Sequence, residues 1–417
     1  MNKWSEIKLK ECITTLKGFA FKSAWYQESG TAIVRVSDFT ENSIDISAIQ
    51  YISNEKAVDY QRYTLDAKDI IIQTVGSWQH NPASIVGKVI NVPIDLKGSL
   101  LNQNAVKIIP KKTIDKSFLY FRLKDEHFKY YNLGCAQGAA NQASITLSSI
   151  GNFKFKLPPL PTQKKIAKIL SNYDDLIANN LKRIKLLEES AKLTYEEWFL
   201  RFRIDGEKLE IDSETGLPFG WEKKKLTEVI ELNPLTAITR GIEQPFIPMG
   251  SLSETSMLID DIKTRIPQGG ARFKNFDTLL ARITPSLENG KTGFIQCLKE
   301  GEVATGSTEF IVMRATEVIS PYYVYPLART EAFREIAIQS MSGSDGRQRV
   351  KVKVFEKILL NIPTEEIRDK YHFSMKKVFD EIQVLANQNK LLREARDILL
   401  PRLMTGMIDV EDMEIAI

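Results

Sequence analysis

The sequence contains little cysteine or histidine, the residues that most often carry redox or metal chemistry. It has three cysteines and three histidines in 417 residues. The cysteines, Cys12, Cys135 and Cys297, are odd in number and far apart, which argues against a disulfide framework and for a reducing compartment. Because the histidines and cysteines show no ligand spacing, we expect no metal site.

Long apolar runs are also missing. No stretch of about 18 apolar residues could cross a bilayer, and the N-terminal "MNKWSEIKLK" has no apolar signal core. We therefore expect a cytoplasmic protein with no membrane partner. The composition is typical of a globular chain, with 43% hydrophobic and 26% charged residues and a net charge of +4. That mild positive charge neither demands nor excludes nucleic acid, and the length predicts two or three domains.

Motifs for catalysis within the chain are absent or incomplete. An amine-modifying methyltransferase needs a glycine-rich cofactor loop and an Asn/Asp-Pro-Pro-aromatic clamp, whereas "HNPA" at 80–83 and "LNPL" at 232–235 are typical of turns. The segment "PSLENGKT" at 285–292 approaches a phosphate-binding loop, but Pro285 replaces the first glycine and strand-like runs flank it, so we interpret it as a hairpin loop. We predict no catalytic, cofactor-binding or metal-binding residue.

The most informative feature that is present is an internal repeat. "WSEIKLKECI" at 4–13 is similar to "WEKKKLTEVI" at 221–230, and "DIIIQTVGS" at 69–77 is similar to "DTLLARITPS" at 277–286. "NQNAVKIIP" at 102–110 has a counterpart in "GSTEFIVMR" at 306–314. The order is preserved, and short β-branched runs alternate with turn residues in each half. The repeat therefore predicts two mixed α/β units of similar fold.

Each unit is followed by a proline and then a long helix with an apolar period of 3.5. Steps of four and three residues predict a coiled-coil seam in each helix, and two such seams in one chain favour an antiparallel pair. If the midpoints of the helices face each other, Asn180 lies opposite Asn389 and fixes the register; the alternative is a water-exposed notch. The predicted seam residues are Ile166, Leu170, Tyr173, Ile177, Asn180, Ile184 and Leu187, with Met375, Val378, Ile382, Leu385, Asn389, Leu392 and Leu399.

These patterns predict an α/β fold with two repeated globular units separated by two long helices that form an antiparallel coiled coil with pseudo-twofold symmetry. About 36 residues per helix would make a spacer about 54 Å long. The predicted boundaries are 1–157 for the first unit, 158–203 for the central helical spacer, 204–216 for a linker, 217–362 for the second unit, 363–406 for the C-terminal helical spacer and 407–417 for a tail.

The junction "LPTQ" at 160–163, the continuing helix, and the entry "PFGW" at 218–221 resemble the DNA-specificity subunits of type I restriction-modification systems. The resemblance covers nearly the whole chain, although "LNIPTEEIRDKY" in the second half lacks the junction glutamine. It implies a non-catalytic DNA reader whose two target-recognition domains each read half of a bipartite target. It also implies two methyltransferase (modification) subunits docked on the helices, and restriction subunits. S-adenosylmethionine, ATP and Mg would belong to those partners.

The first group of predicted DNA-binding residues lies in a polar loop after the apolar strand of each unit. Amide side chains can pair with adenine and Arg or Lys with guanine. Trp78 either packs on a sugar or displaced base or is a half-buried loop anchor. The group comprises Ser77, Trp78, Gln79, His80 and Asn81, with Arg282, Thr284, Ser286, Asn289 and Lys291.

A second and a third group lie in other loops. The second group precedes the last strand of each unit, and a plain surface loop is the alternative interpretation; it comprises Gln137, Asn141 and Gln142, with Arg347, Gln348 and Arg349. The third group could equally be solvated surface charge; it comprises Lys22, Arg35, Gln103 and Asn104, with Arg265, Arg272, Ser307 and Thr308.

Two other classes of function compete with DNA reading. The chain could be a coiled-coil structural adaptor without sequence-specific DNA binding, or a self-contained modification enzyme of another fold. The missing cofactor and clamp motifs count against the enzyme.

Overall fold

The computed structural model describes residues 4–40, 43–78, 85–138, 142–239, 241–259, 261–344 and 346–414. The chain divides into two compact units: a first unit of Met1–Leu176 with Leu392–Ile417, and a second unit of Ile177–Leu391. The predicted mixed α/β fold, with a repeated unit and an antiparallel pair of long helices, is confirmed. No helix of the described residues is both long and apolar enough to cross a membrane.

Among its described residues, the first unit contains eleven strands and the beginning of a long helix. The strands are β1 Ser5–Lys8, β2 Ile13–Lys17, β3 Thr31–Val34, β4 Gln50–Ile52, β5 Ile70–Gln73, β6 Val75–Gly76, β7 Val89–Asn91, β8 Leu100–Leu101, β9 Ala105–Pro110, β10 Ala143–Ser144 and β11 Lys154–Leu157. The helices that begin in it are α1 Leu9–Cys12, α2 Asn54–Val58, α3 Lys116–Lys124, α4 Glu126–Cys135, α5 Leu147–Gly151 and α6 Leu160–Tyr195.

The second unit contains the other strands and helices. Its strands are β12 Arg203–Ile204, β13 Glu207–Lys208, β14 Glu222–Lys225, β15 Ile230–Leu232, β16 Gln244–Ile247, β17 Lys263–Arg265, β18 Ala271–Lys274, β19 Thr278–Ala281, β20 Thr292–Phe294, β21 Val303–Gly306, β22 Phe310–Ala315 and β23 Leu359–Ile362. Its helices are α7 Leu226–Val229, α8 Pro321–Arg329, α9 Glu331–Gln339 and most of α10 Glu365–Met404.

The sheet topology repeats between the units. The order β2-β9-β5-β7 in the first unit corresponds to β15-β22-β19-β20 in the second, and the pair β1-β11 corresponds to β14-β23. A further sheet, β4-β3-β8, corresponds to β17-β16-β21-β18, with a parallel pairing of β3 with β8 and of β16 with β21. The sequence repeat is therefore also a repeat of strand pairing, with β18 as an additional strand in the second unit.

The apolar strand in the middle of each unit is buried on both faces. Ile70 and Ile72 belong to the core that contains the helices α3 and α4, and Ile71 belongs to the core on the other side of the sheet. Leu280 and Leu279 are divided in the same way in the second unit. A strand covered on both faces needs a continuous apolar run rather than an alternating one, which explains "DIIIQ" and "DTLLA".

Two helices follow these strands in each unit, α3 and α4 in the first and α8 and α9 in the second, and they begin at equivalent capping residues. Asp115 accepts a hydrogen bond from the backbone of Phe118 at the start of α3, and Ser320 accepts one from the backbone of Tyr322 at the start of α8. Asp125 and Thr330 cap α4 and α9 in the same way. Short polar side chains satisfy the free N–H groups of a first helical turn, so the breaks between the helices are encoded locally.

The junction glutamine fastens the start of α6 to the first unit. Gln163 is 1% exposed, and its Oε1 accepts a 2.8 Å hydrogen bond from the backbone N–H of Asp115. Its Nε2 donates to the carbonyl oxygens of Pro158, at 2.8 Å, and Thr113, at 3.3 Å. A buried amide with three bonds fixes the direction in which the helix leaves the unit.

The long helices pair antiparallel within the second unit. Asn180 donates to Oδ1 of Asn389 at 3.0 Å, and both are 2% exposed. Arg183, one turn further along α6, pairs with Glu381, which precedes Asn389 on α10, at 2.7 Å. The predicted seam positions Ile177, Ile184, Met375, Ile382 and Leu385 are buried, whereas Leu187 and Val378 are half-buried.

The part of the helix pair that belongs to the first unit follows the same direction. Arg396 pairs with Asp174 at 2.5 Å, and Lys165 donates to the carbonyl oxygen of Glu411, beyond the end of α10, at 2.6 Å. Among the predicted seam positions here, Ile166 and Leu170 are fully buried, and Tyr173, Leu392 and Leu399 are half-buried.

Candidate nucleic-acid interface

In the second unit, three segments meet where β19 ends. The backbone N–H of Arg282 donates to the carbonyl oxygen of Glu309 at 3.0 Å, and the N–H of Val350 donates to the carbonyl oxygen of Arg282 at 2.9 Å. The N–H of Thr284 donates to the carbonyl oxygen of Gln348 at 3.1 Å. The predicted loops around 282–291 and 342–351 are therefore held side by side by their backbones.

A carboxylate between these loops binds two of the predicted arginines. Arg349 forms a fork with Glu309, with Nη2 2.7 Å from Oε1 and Nε 3.0 Å from each oxygen. Arg282 donates from Nε to Oε2 at 3.1 Å. The hydrogen bonds from Arg349, and then those from Arg282, lower the pKa of Glu309 although partial burial opposes them. The cluster carries a net positive charge and holds both guanidinium groups in fixed orientations.

Arg347 differs from these two arginines. Its side chain is exposed, and no carboxylate of the described residues pairs with it. Its backbone N–H donates to the carbonyl oxygen of Ser344 at 3.0 Å, so the turn is ordered while the guanidinium is available. Among the predicted arginines of these two loops, Arg347 therefore has all of its side-chain donors available to a partner.

The other predicted residues of the loop 282–291 are partly engaged. Asn289 is exposed but donates to Glu254 at 3.0 Å, and Thr284 donates from its hydroxyl to Gln348 at 3.4 Å. Ser286 is half-buried and accepts from the backbone of Lys291, which is half-buried as well.

Helices α8 and α9 fix this loop from behind. Arg334 donates to the carbonyl oxygen of Glu288 at 2.6 Å, and Arg329 donates to that of Gly290 at 3.3 Å. The loop is thus supported by rigid elements, as a recognition loop requires.

The third predicted group of the second unit adjoins the Glu309 cluster. Ser307 and Thr308 directly precede Glu309, and Ser307 accepts a hydrogen bond from the Glu309 backbone at 3.2 Å. Arg265 lies over the ring of Phe246, 3.2 Å from its centroid. Arg272 donates to the Thr236 carbonyl oxygen at 3.4 Å.

In the first unit the structure brings the first two predicted loops together through β6 and β10. Ala143 pairs with Gly76, and Gln137 bonds to Ser144 through both backbone groups, at 2.9 and 2.8 Å. The side chains of Gln137 and Gln142 are exposed. Both residues thus lie close to β6. Four predicted residues, Gln79, His80, Asn81 and Asn141, lie outside the described residues.

Ser77 and Trp78 are the two described residues of the first loop, and both are more buried than residues of an exposed contact surface. Ser77 is 7% exposed, and its carbonyl oxygen accepts from the backbone of Val86 at 3.0 Å. Trp78 is half-buried and packs against the core of the first unit, an environment that favours the loop-anchor alternative.

The third predicted group of the first unit is divided. Arg35 bonds to Asp38 at 2.6 Å and to the carbonyl oxygen of Ala48 at 2.9 Å, so its partners are internal. Lys22 is exposed beside Trp25, 5.6 Å from the ring. Gln103 is exposed, and Asn104 accepts from the backbone N–H of Thr74 at 2.7 Å.

Sequence reasoning missed Glu309, the residue that orients Arg282 and Arg349 in the candidate interface of the second unit. The sequence signal for Glu309 is that it is acidic and lies in "GSTEF", which aligns with the neutral segment "NQNAV" of the first unit. In the fold, Glu309 lies between the segments "ARITPS" and "GRQRVK". Only the strand register shows that these three segments meet. Among the described residues, no group of three or more His, Cys, Asp or Glu side chains is placed to hold a metal ion.

Comparisons with known proteins agree with this architecture. The family model described as "Type I restriction modification DNA specificity domain" matches residues 1–189. The chain is 23% identical to the putative type I restriction enzyme MjaX specificity subunit of Methanocaldococcus jannaschii, over 98% of this chain and 94% of that protein. It is 27% identical to the MjaIX specificity subunit of the same organism, over 75% of this chain and 73% of that protein.

A solved structure shares the fold along nearly the whole chain. The crystal structure of a type I restriction-modification S subunit from M. genitalium aligns with a TM-score of 0.55 at 13% identity, over 97% of this chain and 96% of that one.

Proposed function

Because the chain belongs to the DNA-specificity subunits of type I restriction-modification systems, we propose that it reads a bipartite DNA target, one half with each unit. The observation that carries the proposal is the equivalence of the candidate loops. They occupy corresponding places on the same repeated sheet and present different polar side chains. Two units with the same backbone arrangement but different polar side chains suit two half-sites of different sequence.

The available side chains suit direct reading of bases. An unpaired guanidinium such as that of Arg347 can donate two hydrogen bonds to O6 and N7 of guanine, and an exposed amide such as that of Gln137 can pair with N6 and N7 of adenine. Arg282 and Arg349, oriented by Glu309, still carry donors that can reach a base edge or a phosphate. The backbone bonds between the loops supply the rigidity that base discrimination needs.

We further propose that the chain is non-catalytic and acts with partners in the cytoplasm. Two methyltransferase subunits using S-adenosylmethionine, and restriction subunits using ATP and Mg, would dock on the long helices. Exposed apolar side chains on the helices support this, because a helix pair in water rarely leaves so many uncovered. Within the second unit these are Leu181, Leu186, Leu193, Phe373, Val384 and Leu391.

Methylome sequencing of the host tests the proposal. With the gene intact, we expect methylated adenines in a split motif whose two parts are separated by unread base pairs. Deletion of this gene alone should abolish methylation at that motif and leave other motifs unchanged. A continuous motif, or methylation that survives the deletion, would contradict the proposal.

A further inference from the structure

One face of the sheet β4-β3-β8 is covered in the first unit. Ile33 and Ile52 on this face are both 0% exposed. The rings of Phe19, Tyr60 and Tyr63 pack over them in one small core, with 4.7 Å between the ring centroids of Phe19 and Tyr60. The first unit therefore fills this face with its own aromatic side chains, supplied by the segments before β3 and after β4.

The corresponding face of the second unit is open. By strand pairing, Phe246 occupies the position of Ile33, and Arg265 that of Ile52. The segment after β17 forms the strand β18, whereas the segment after β4 forms the helix α2 that helps to cover the first unit. The uncovered face contains a cavity of about 410 Å³. That volume is within the range of small-molecule sites, which is about 300–1,000 Å³.

The cavity has a planar platform with unused donors. The guanidinium of Arg265 is stacked 3.2 Å from the centroid of the Phe246 ring, and no carboxylate of the described residues pairs with it. Gln268 and the hydroxyl side chains of Ser307 and Thr308 line the same cavity. A flat group can stack on such a platform while its polar edge meets the amide and hydroxyl groups.

Glycines keep the wall of the cavity thin. Gly269 and Gly270 have φ angles of +144° and +102°, in the region that favours glycine. A Cβ on Gly270 would overlap the carbonyl oxygen of Gly306, and a Cβ on Gly306 would lie 2.8 Å from the ring of Phe310. The wall is therefore formed by backbone at these positions.

The platform is flanked by positive charge. Lys263 faces Phe246 across β16 and β17, and Arg272 faces Thr305 across β18 and β21. Because directly opposed residues point to the same face of a sheet, Lys263 lies beside the aromatic ring, where it also pairs with Asp261 at 3.7 Å, and Arg272 lies on the same face one strand further away, beyond Thr305. An aromatic ring between cations is the pattern that binds unstacked nucleotides.

We propose that this face of the second unit is a nucleotide-binding site: a nucleobase stacks on the Arg265–Phe246 pair, and its phosphate is bound by the flanking cations. In the described part of the first unit, the rings of Phe19, Tyr60 and Tyr63 occupy the equivalent space. Ser307 and Thr308 directly precede Glu309, so the site adjoins the interface of the proposed DNA reading, on which this inference rests. The nucleotide comes either from an unpaired position in a DNA strand or from free mononucleotide.

The test uses the full-length chain labelled with ¹³C at the methionine methyl groups. Met249 lines the cavity and serves as the reporter, with its signal assigned from a Met249→Leu variant. The probes are the four deoxynucleoside monophosphates, a fully paired target duplex, and the same duplex with one unpaired nucleotide. We expect a saturable shift of the Met249 signal with at least one monophosphate or with the unpaired duplex. Response to the monophosphates alone identifies a free-nucleotide site, and response to the unpaired duplex identifies a DNA-strand site.

Two variants check that the shift reports this site. Arg265→Ala and the cavity-filling Ser307→Leu should each weaken binding about tenfold, the scale of one base-stacking contact. Arg203→Ala, which removes another exposed arginine of the second unit, should leave it unchanged. Absence of any Met249 shift, or a shift that persists in both cavity variants, overturns the proposal.

Fluorescence anisotropy with the paired duplex separates this result from the proposed function. Base-dependent binding without a Met249 response defeats the nucleotide site alone, whereas binding without any base preference defeats the DNA reading itself.

Discussion

The two units share a backbone frame at the candidate interface but place different charges on it. In the first unit the N–H of Thr74 donates to the carbonyl oxygen of Asn104, and in the second the N–H of Arg282 donates to that of Glu309. The same bond thus joins two neutral residues in one unit and an ion pair in the other.

A third position extends the comparison. Ser144 pairs with Val75 in the first unit, as Arg349 pairs with Ile283 in the second. The frame is therefore neutral in one unit and carries two guanidinium groups and a carboxylate in the other. Backbone bonds hold the frame in both units although the side chains differ, and that difference is available for recognition.

The largest predicted effect concerns the buried aspartate that starts the central strand of each unit. Asp277 is bound by both Nε and Nη2 of Arg314, each at 2.7 Å, whereas Asp69 is bound by Lys107 at 2.5 Å and Lys116 at 2.9 Å. We expect Arg314→Met to lower the free energy of unfolding by about 3–5 kcal/mol, because it leaves a buried charge unpaired. Hydrogen exchange of peptides that cover β19 measures it.

The first unit supplies the control for this experiment. Lys107→Met leaves Lys116 in contact with Asp69, so the loss measured at β5 should be clearly smaller than the loss measured at β19 for Arg314→Met. Equal losses in the two variants would show that the second cation adds nothing and would remove this difference between the units.

The next effect separates the half-sites. Arg347→Ala should relax the preference at one base pair of one half-site by about 1–3 kcal/mol, because a guanidinium that can pair with guanine is lost. Gln137→Ala should act in the same way on the other half-site only. Anisotropy titrations with duplexes altered base by base measure both. Uniform weakening across all duplexes would identify a phosphate contact instead, and relaxation of both half-sites by one variant would contradict the division of reading.

Sequence patterns were sufficient for the parts of the molecule that depend on periodicity. The seam with its paired Asn180 and Asn389, the repeat and the apolar central strands all follow from local spacing. Glu309 could not be predicted because its importance depends on three segments that only strand register brings together. The internal pairing of Arg35 with Asp38, and the open face at Phe246, depend on tertiary packing in the same way.

A smaller effect is expected from neutralising the carboxylate between the arginines. Glu309→Gln should reduce base discrimination about fivefold or less, since partly exposed ion pairs are weak, while overall affinity for DNA rises because a negative charge near phosphates is removed. Anisotropy with matched and altered duplexes distinguishes the two directions. A fall in affinity without loss of discrimination would show that Glu309 does not orient Arg349.

The pH dependence of the wild-type chain sharpens the same comparison. Hydrogen bonds from Arg349 and Arg282 lower the pKa of Glu309. The contribution of the ionised carboxylate to base discrimination is therefore complete above the ordinary pKa range of glutamate, and it is lost only as pH falls through the lowered pKa. We expect discrimination in the half-site read by the second unit to stay constant from about pH 8 down to about pH 4.3, the ordinary pKa of glutamate, where an isolated carboxylate would already be half protonated. A decline within that window, absent from Glu309→Gln, would mean that the carboxylate titrates like an isolated one.

The smallest predicted effect concerns whether an added positive charge alone gives the first unit the base preference expected of the second. Ser144→Arg places a guanidinium at the position of Arg349, but the neighbouring Asn104 offers no carboxylate to orient it. Asn104 has a φ angle of +70°, which asparagine tolerates better than glutamate, so the frame itself disfavours an acid there. The free arginine should therefore steepen the salt dependence of binding by about 0.9 in the log–log slope, one phosphate contact, without new base preference. A new preference in the first half-site would show that orientation by Glu309 is dispensable.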